Sequence, residues 1–450
     1  MISRILATAA ATVAGICLLL APALSTEANA MKIQQVKSPG GIEAWLVEEH
    51  SVPLIALRFS VEGGSTQDPT GKEGVANFMT AMLDEGAGDL SAVKYQERME
   101  ELAMRMGFED GRDQFYGSFE TLTVNKDAAL DLFRLAINKP RFEVSAVDRI
   151  RTQLLSSLKF AEKDPNSVAG KAWTAAAFPN HPYGRSAKGS DASITAIKRD
   201  DLEAYRRRVF AKDNLKVVVV GDIDATTLGP MLDKVFGEFA AKAQLQKVEK
   251  LDKLAIKTGG AVRVIEMNVP QSVATFGSSG MLRRDPDFMA ASVMNQILGG
   301  GGFASRLMEE VREKRGLAYS VHSYLNPMRN AGIFAGGVAT KNEEMAQSLD
   351  VIRAEFKRMA DSGPTQTEFD NAKSFMLGSY ALRFDTNSKI ASQLLGIAIE
   401  DLGIDYVDKR NKEVEAVSIE DVKRSAKRLL ANDDLLITIV GKPKGVVNKG

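Results

Sequence analysis

The chain repeats itself, and that constrains its fold more than any other feature. Asp213-Asn214-Leu215-Lys216-Val217-Val218-Val219-Val220-Gly221 and Asp433-Asp434-Leu435-Leu436-Ile437-Thr438-Ile439-Val440-Gly441 are both apolar strands stopped by glycine, and the two glycines lie 220 positions apart. At the same offset, Ile194, Ile197, Asp201 and Leu202 fall opposite Val414, Val417, Asp421 and Val422. Val147–Leu158 resembles Phe369–Tyr380 as a long helical segment. A repeat of about 200 residues is too long for a solenoid unit and implies duplicated domains. The Lys/Ala-rich, aperiodic stretch before Gly259-Gly260 marks the join. The expected units are residues 31–240, a linker at 241–260, and residues 261–450.

Within each unit, strands and helices mix without strict βαβ alternation. Ala44–Val47 and Leu54–Val61 read as strands paired around a turn at Glu48–Pro53. Gly74–Leu83 reads as an apolar helix, Lys94–Met106 as a second, Phe115–Val124 as a strand, and Lys126–Ile137 as a helix. This order predicts the α+β class: two domains, each a mostly antiparallel sheet covered by helices.

The first residues read as a secretory leader. Met1-Ile2-Ser3-Arg4 is positive, Ile5–Leu24 is apolar, and Ala28-Asn29-Ala30 is a small-x-small cleavage site. The expectation is a cleaved signal peptide at 1–30, a periplasmic location and no membrane span thereafter. The only cysteine, Cys17, lies in that leader. The mature chain then has no disulfide, thiolate nucleophile or cysteine-bound zinc. Lys plus Arg and Asp plus Glu are 58 each, which argues against nucleic acid as a partner.

Gly63-Gly64-Ser65 closes a strand, and Gly74-Val75-Ala76-Asn77-Phe78-Met79-Thr80-Ala81-Met82-Leu83 follows as a helix. This pattern resembles the pitrilysin/insulinase family, the inverted zincins. In that family the helix carries H-x-x-E-H, with two zinc-binding His one turn apart and a Glu as general base. The matching positions here are Asn77, Thr80 and Ala81, and the third ligand would fall at Ser156, Ser157 or Leu158. None of these is a zinc ligand, and the chain's three His, at 50, 181 and 322, lack ligand spacing. The sequence therefore predicts no metal and no cofactor in this chain. His181-Pro182-Tyr183-Gly184 with Gly189, and Gly316-Leu317-Ala318-Tyr319-Ser320, extend the resemblance along both repeats.

The run Gly299-Gly300-Gly301-Gly302 has neither the Lys-Ser/Thr nor the dinucleotide context of a phosphate loop. It reads as a turn before a helix Arg306–Lys314 capped by Ser305. After Gly316 a strand is expected, with Leu317, Tyr319, Val321 and Ser323 on one face. Composition alone would leave Arg312 paired with Glu309 and Tyr319 as a core aromatic. The resemblance implies more. In the family an Arg and a Tyr seven positions apart reach the zinc site of the other half, bind substrate and steady the scissile carbonyl. Arg312 and Tyr319 match that spacing. A permanently charged guanidinium and a phenol O–H are suitable donors to a developing oxyanion.

Metal and base are missing while the donor pair stays. In two-chain bacterial members of the family these parts lie on separate subunits. The resemblance thus implies the zinc-free subunit of a heterodimeric peptidase, half of a clamshell around a peptide substrate. The zinc would sit in a homologous partner bearing H-x-x-E-H, and self-association stays open. The alternative is a non-catalytic scaffold or peptide-binding module of the same fold. No G-x-S-x-G elbow supports a hydrolase acting alone.

Overall fold

The structure, a computed structural model, describes residues 31–256, 259–432 and 434–449. The expected leader at 1–30 lies outside the described residues. Eleven strands occur among the described residues: β1 (Gln34–Lys37), β2 (Glu43–Glu48), β3 (Leu54–Glu62), β4 (Arg105–Asp110), β5 (Gln114–Leu122), β6 (Leu215–Gly221), β7 (Ala261–Glu266), β8 (Gln271–Ser279), β9 (Ala318–Pro327), β10 (Gly332–Lys341) and β11 (Leu436–Gly441). They form two sheets, ordered β1-β2-β6-β3-β5-β4 and β7-β11-β8-β10-β9.

Apart from the extra edge strand β1, the second order repeats the first. In each sheet one pair is parallel, β2 with β6 and β7 with β11, and the other pairs are antiparallel. The duplication reaches single residues. Gly221 and Gly441 end their strands at φ 143° and 144°, where a Cβ would lie 2.1 Å from Leu54 O and 2.3 Å from Ser272 Oγ. Asp201 and Asp421 accept the backbone N–H of Lys198 (2.8 Å) and Ser418 (2.9 Å), each at the third position of the helix before the last strand. Phe59 lies across from Gly117, and Phe276 from Gly336. Each ring covers the bare glycine so closely that a Cβ would sit 1.9 Å or 2.4 Å from it.

The local pairing expected for β2 and β3 is wrong. β6 lies between them, parallel to β2 and antiparallel to β3. A run of four valines belongs in such a central strand, with both faces covered, rather than at an edge. The helix expected over Lys94–Met106 stops at Glu101. Ala103 turns the chain at φ 46°, and Met106 belongs to β4. The helix expected over Gly74–Leu83 is shorter, Val75–Thr80, and is followed by turns.

Each half packs a core between its sheet and its own helices. Phe59, Phe133, Phe119 and Phe236 meet at ring distances of 5.0–6.1 Å in the first. Phe356 fills the same role under Phe276 (5.8 Å) and Phe334 (5.4 Å) in the second. The opposite faces are covered by exchange. The first half's helix Pro165–Ala177 packs on β8 and β11 of the second sheet. The second half's helix Asn387–Ile399 packs on β3 and β6 of the first. Trp173 is the anchor of one, its indole N–H donating to Leu436 O at 2.8 Å. Ala391, Leu394 and Leu395 bury against Val218 and Val220 in the other. No described helix is long and apolar enough to cross a membrane.

Candidate functional site

The helix Val75–Thr80 holds the positions matching H-x-x-E-H. Asp68 caps it, accepting the N–H of Gly74 (2.7 Å) and Ala76 (2.9 Å). Burial pushes the Asp68 carboxyl up to about 7, against those two hydrogen bonds. The Asn77 amide donates to Asp110 (2.9 Å), and the Thr80 hydroxyl donates back to Asn77 O (2.7 Å). Ala81 closes the helix. Glu85 is paired with Arg149. On the helix Val144–Ala161, the Ser156 hydroxyl turns back onto Thr152 O at 2.8 Å.

The histidines are occupied elsewhere. His50 is exposed against Asp222 (2.7 Å). His322 stacks on Tyr324, 6.1 Å away. His181 is buried, with Nε2–H donating to Glu249 O (2.9 Å) and Nδ1 accepting from Tyr183 N–H (3.1 Å). The His181–Gly184 loop is a joint: the Tyr183 hydroxyl donates to Asp113 (2.6 Å) and accepts Asn330 N–H (3.0 Å) from the second half. Among the described residues no group of three or more His, Cys, Asp or Glu could hold a metal ion. Asn77, Thr80 and Ser156 each have a partner of their own, and none of them is a zinc ligand.

The Arg312–Tyr319 segment is built differently. The helix Phe288–Asn295 widens to π winding over Gln296–Gly300, a single 3₁₀ turn follows at Gly302–Ala304, and π winding recurs over Met308–Glu313. Such widened turns are uncommon and concentrate at functional sites. Gly299 is required by close approach: a Cβ there would lie 2.4 Å from Ser323 Oγ and 2.6 Å from Ser323 N. Ser305 does not cap the next helix as expected; its hydroxyl donates to Gly302 O at 2.7 Å. Arg306 instead anchors the segment, with a two-pronged bond to Glu368 (2.5 and 2.7 Å) and one to Gly363 O (3.0 Å). The guanidinium and the Thr365 N–H hold the Glu368 carboxyl down to about 2, outweighing its burial.

The charges beside Arg312 are matched mostly to one another. Lys314 pairs with Glu309 (2.9 Å) and Glu310 (2.8 Å), and Arg315 with Glu310 (2.6 Å). Glu309 is therefore not the partner of Arg312. The Arg312 guanidinium lies 4.6 Å from the ring centre of Phe303, itself 70% exposed, and 3.5 Å from Glu313. The corner is closed by Gly316 N–H to Arg312 O (2.8 Å) and Leu317 N–H to Val311 O (2.9 Å), with Gly316 at φ 63°.

β9 then starts with a bulge. Ser320 pairs with Ala339 and Ala318 with Thr340, so Tyr319 is the extra residue. Tyr319 thus leaves the buried face of Leu317, Val321 and Ser323, on which alternation alone had placed it, and is 80% exposed. It is not a core aromatic, and its hydroxyl has no partner among the described residues. Phe303 and the bulge are features that sequence reasoning missed. The glycine run beside an aromatic was the only trace of them.

The fold is thus a duplicated α+β chain whose first half shows no metal-ligand cluster among the described residues. Two family profiles match in tandem: "Insulinase (Peptidase family M16)" over residues 45–191 and "Peptidase M16 inactive domain" over residues 196–376. The chain belongs to the insulinase family, peptidase family M16. It is 27% identical to a Helicobacter pylori protein named "Non-peptidase homolog YmxG", over 95% of this chain and 98% of that protein. A crystal structure of a peptidase M16 inactive domain from Pseudomonas fluorescens superposes with a TM-score of 0.86 at 29% identity, covering 93% of this chain and 99% of that one. A Helicobacter pylori protease shares the fold at a TM-score of 0.82 and 16% identity, over 91% and 100% of the two chains.

Proposed function

We propose that this chain is the zinc-free subunit of a two-chain, exported peptidase, supplying Arg312 and Tyr319 to a zinc site held by a homologous partner with H-x-x-E-H. The observation that carries the reading is the corner itself. A guanidinium and a phenol O–H are presented to solvent on a rigid helix-to-strand junction, their surrounding charges already paired. Arg312 touches exposed Glu313 (3.5 Å) and the Phe303 ring, and Tyr319 is 80% exposed, so both donors can turn to an oxyanion delivered from another surface. The substrate is a peptide, and the unpaired edge strand β4 offers backbone groups that an extended segment would pair with. The leader-like N-terminus supports a periplasmic location after cleavage.

The test is reconstitution of the mature chain with a zinc-bearing homologue, followed by cleavage of an unstructured peptide. Hydrolysis is expected only with both chains present. Arg312→Ala and Tyr319→Phe should each lower kcat/KM by roughly 10²–10³-fold without moving the melting temperature. Unchanged turnover in both variants would remove the catalytic assignment and favour the scaffold reading, to which the name of the Helicobacter pylori relative points.

A further inference from the structure

The second half contains a set of arginines that the Arg312–Tyr319 corner does not use. Arg283 follows β8, Arg383 lies in the turn Ala381–Phe384, and Arg410 lies on the helix Tyr406–Ala416. All three line one cavity of about 390 Å³. Arg410 is nine-tenths buried, at 9% exposure. Its Nη1 donates to Met376 O (2.6 Å) and Asn411 Oδ1 (2.9 Å), both uncharged, and its ring-facing side lies 4.5 Å from the centre of Tyr380. Arg283 donates to the Tyr406 hydroxyl and lies between the rings of Phe288 (4.7 Å) and Tyr406 (5.2 Å). The Arg383 guanidinium has no polar partner among the described residues.

Among the described residues none of the three has a carboxylate within ion-pair distance, in contrast to Arg306 with Glu368 or Arg58 with Glu120. Glu400 is the one acid lining the cavity. A buried cation costs free energy unless an anion meets it, and three cations around one acid leave an excess of positive charge. Burial raises the Tyr380 and Tyr406 phenols above their ordinary range, which favours the neutral donor form. The remaining walls are apolar and pliable, with Met289, Met376, Ile397 and Leu402. Ser392, Gly396 and Glu400 also line the neighbouring groove, which runs to Gly107 and Glu109 on the free strand β4.

The geometry points to a carboxylate-binding pocket formed by Arg283, Arg383 and Arg410, which receives the carboxylate of a peptide whose chain lies along the β4 groove. The planar guanidinium fork matches a carboxylate, the phenols add donors, and the thioether walls take the adjoining side chain. A cavity of this size suits one capped amino acid and excludes a folded surface. The inference takes only the peptide nature of the ligand from the preceding proposal. It needs no zinc partner, so the two stand or fall by separate measurements.

The test uses the mature chain alone, with ligand-observed NMR as the readout. The probes are N-acetyl-leucine, N-acetyl-leucinamide, N-acetyl-glutamic acid α-amide and inorganic phosphate. At least one of the two carboxylates should bind about tenfold tighter than the neutral leucinamide. The α-carboxylate and the side-chain carboxylate arms report whether a peptide end or an acidic residue is the source. Arg383→Gln, a change at an exposed position, should abolish the preference with the melting temperature unchanged, and Arg383→Lys should retain part of it. Arg410→Met should act like Arg383→Gln. Equal binding of acids and amide, a preference that survives Arg383→Gln, or binding of phosphate without either carboxylate would each overturn the assignment.

Discussion

The two halves share a strand order and part company immediately after β3 and its counterpart β8. In the first half, β3 leads into a stretch whose polar groups are closed on one another: Asp68 on two backbone N–H groups, Asn77 on Asp110, Thr80 on Asn77 O. In the second half, β8 leads into two widened turns, a glycine run and a bulge, and the segment ends with Phe303 and Tyr319 in solvent. At the positions of the missing ligands, the first half binds its polar side chains to its own backbone and side chains. The second half departs from regular geometry where Arg312 and Tyr319 stand, and the proposed donor role depends on that difference.

The comparison can be broken or sharpened, beginning with the exchanged helices. Trp173→Ala should cost about 3–5 kcal/mol, because a buried indole and its hydrogen bond to the other half are both lost. If the halves are one cooperative unit, fluorescence and circular dichroism should report a single shifted urea transition. Two separate transitions would show that the halves are independent.

Arg306→Ala should cost on the order of 2 kcal/mol, less than a fully buried pair because Glu368 keeps part of its hydration. Its pH signature follows from the lowered Glu368 carboxyl. The contribution is present above the unfolded-state value near 4.5 and is lost as pH falls toward 2. The variant and the parent should therefore converge in stability at about pH 2.

Asp68 gives the opposite sign. Its folded carboxyl is raised, so the neutral form favours the native state at low pH, and stability is lost as pH rises from about 4 through about 7. Asp68→Asn should flatten that decline in urea midpoints measured at pH 5 and pH 7.5. The flattening should amount to about 2 kcal/mol between those two pH values, and the loss of a capping acceptor would shift both midpoints alike. Smallest of all, Phe303→Ala should leave stability within ~0.5 kcal/mol, since the ring is exposed. It should lower reconstituted kcat/KM only severalfold, through loss of the surface on which Arg312 rests.

Local chemistry explains which parts were legible. The strands ending at Gly221 and Gly441, the helix starts at Asp201 and Asp421, and the missing ligands at Asn77 and Ala81 are written in short stretches of sequence. The pair Arg312 and Tyr319 is singled out only through the family resemblance, and its role is for the reconstitution to decide. The insertion of β6 between β2 and β3 is a long-range choice that no local turn signal reports. The break at Ala103 depends on a positive φ at a residue that normally extends helices. The outward turn of Tyr319 depends on one unpaired position opposite Ala339 and Thr340, and period-two alternation assumes no such position exists. The arginines at 283, 383 and 410 are far apart in sequence and meet only through tertiary packing.

The helix exchange also sets an order of events for a growing chain. The outer face of the first sheet, with Val218 and Val220, has its cover at residues 387–399, made long after the sheet itself. Until those residues arrive, the early half presents a bare apolar surface, which neither a ribosome tunnel nor a translocation pore would bury. The first half therefore cannot finish its packing until nearly the whole chain is available, which makes the two halves one late, shared folding event.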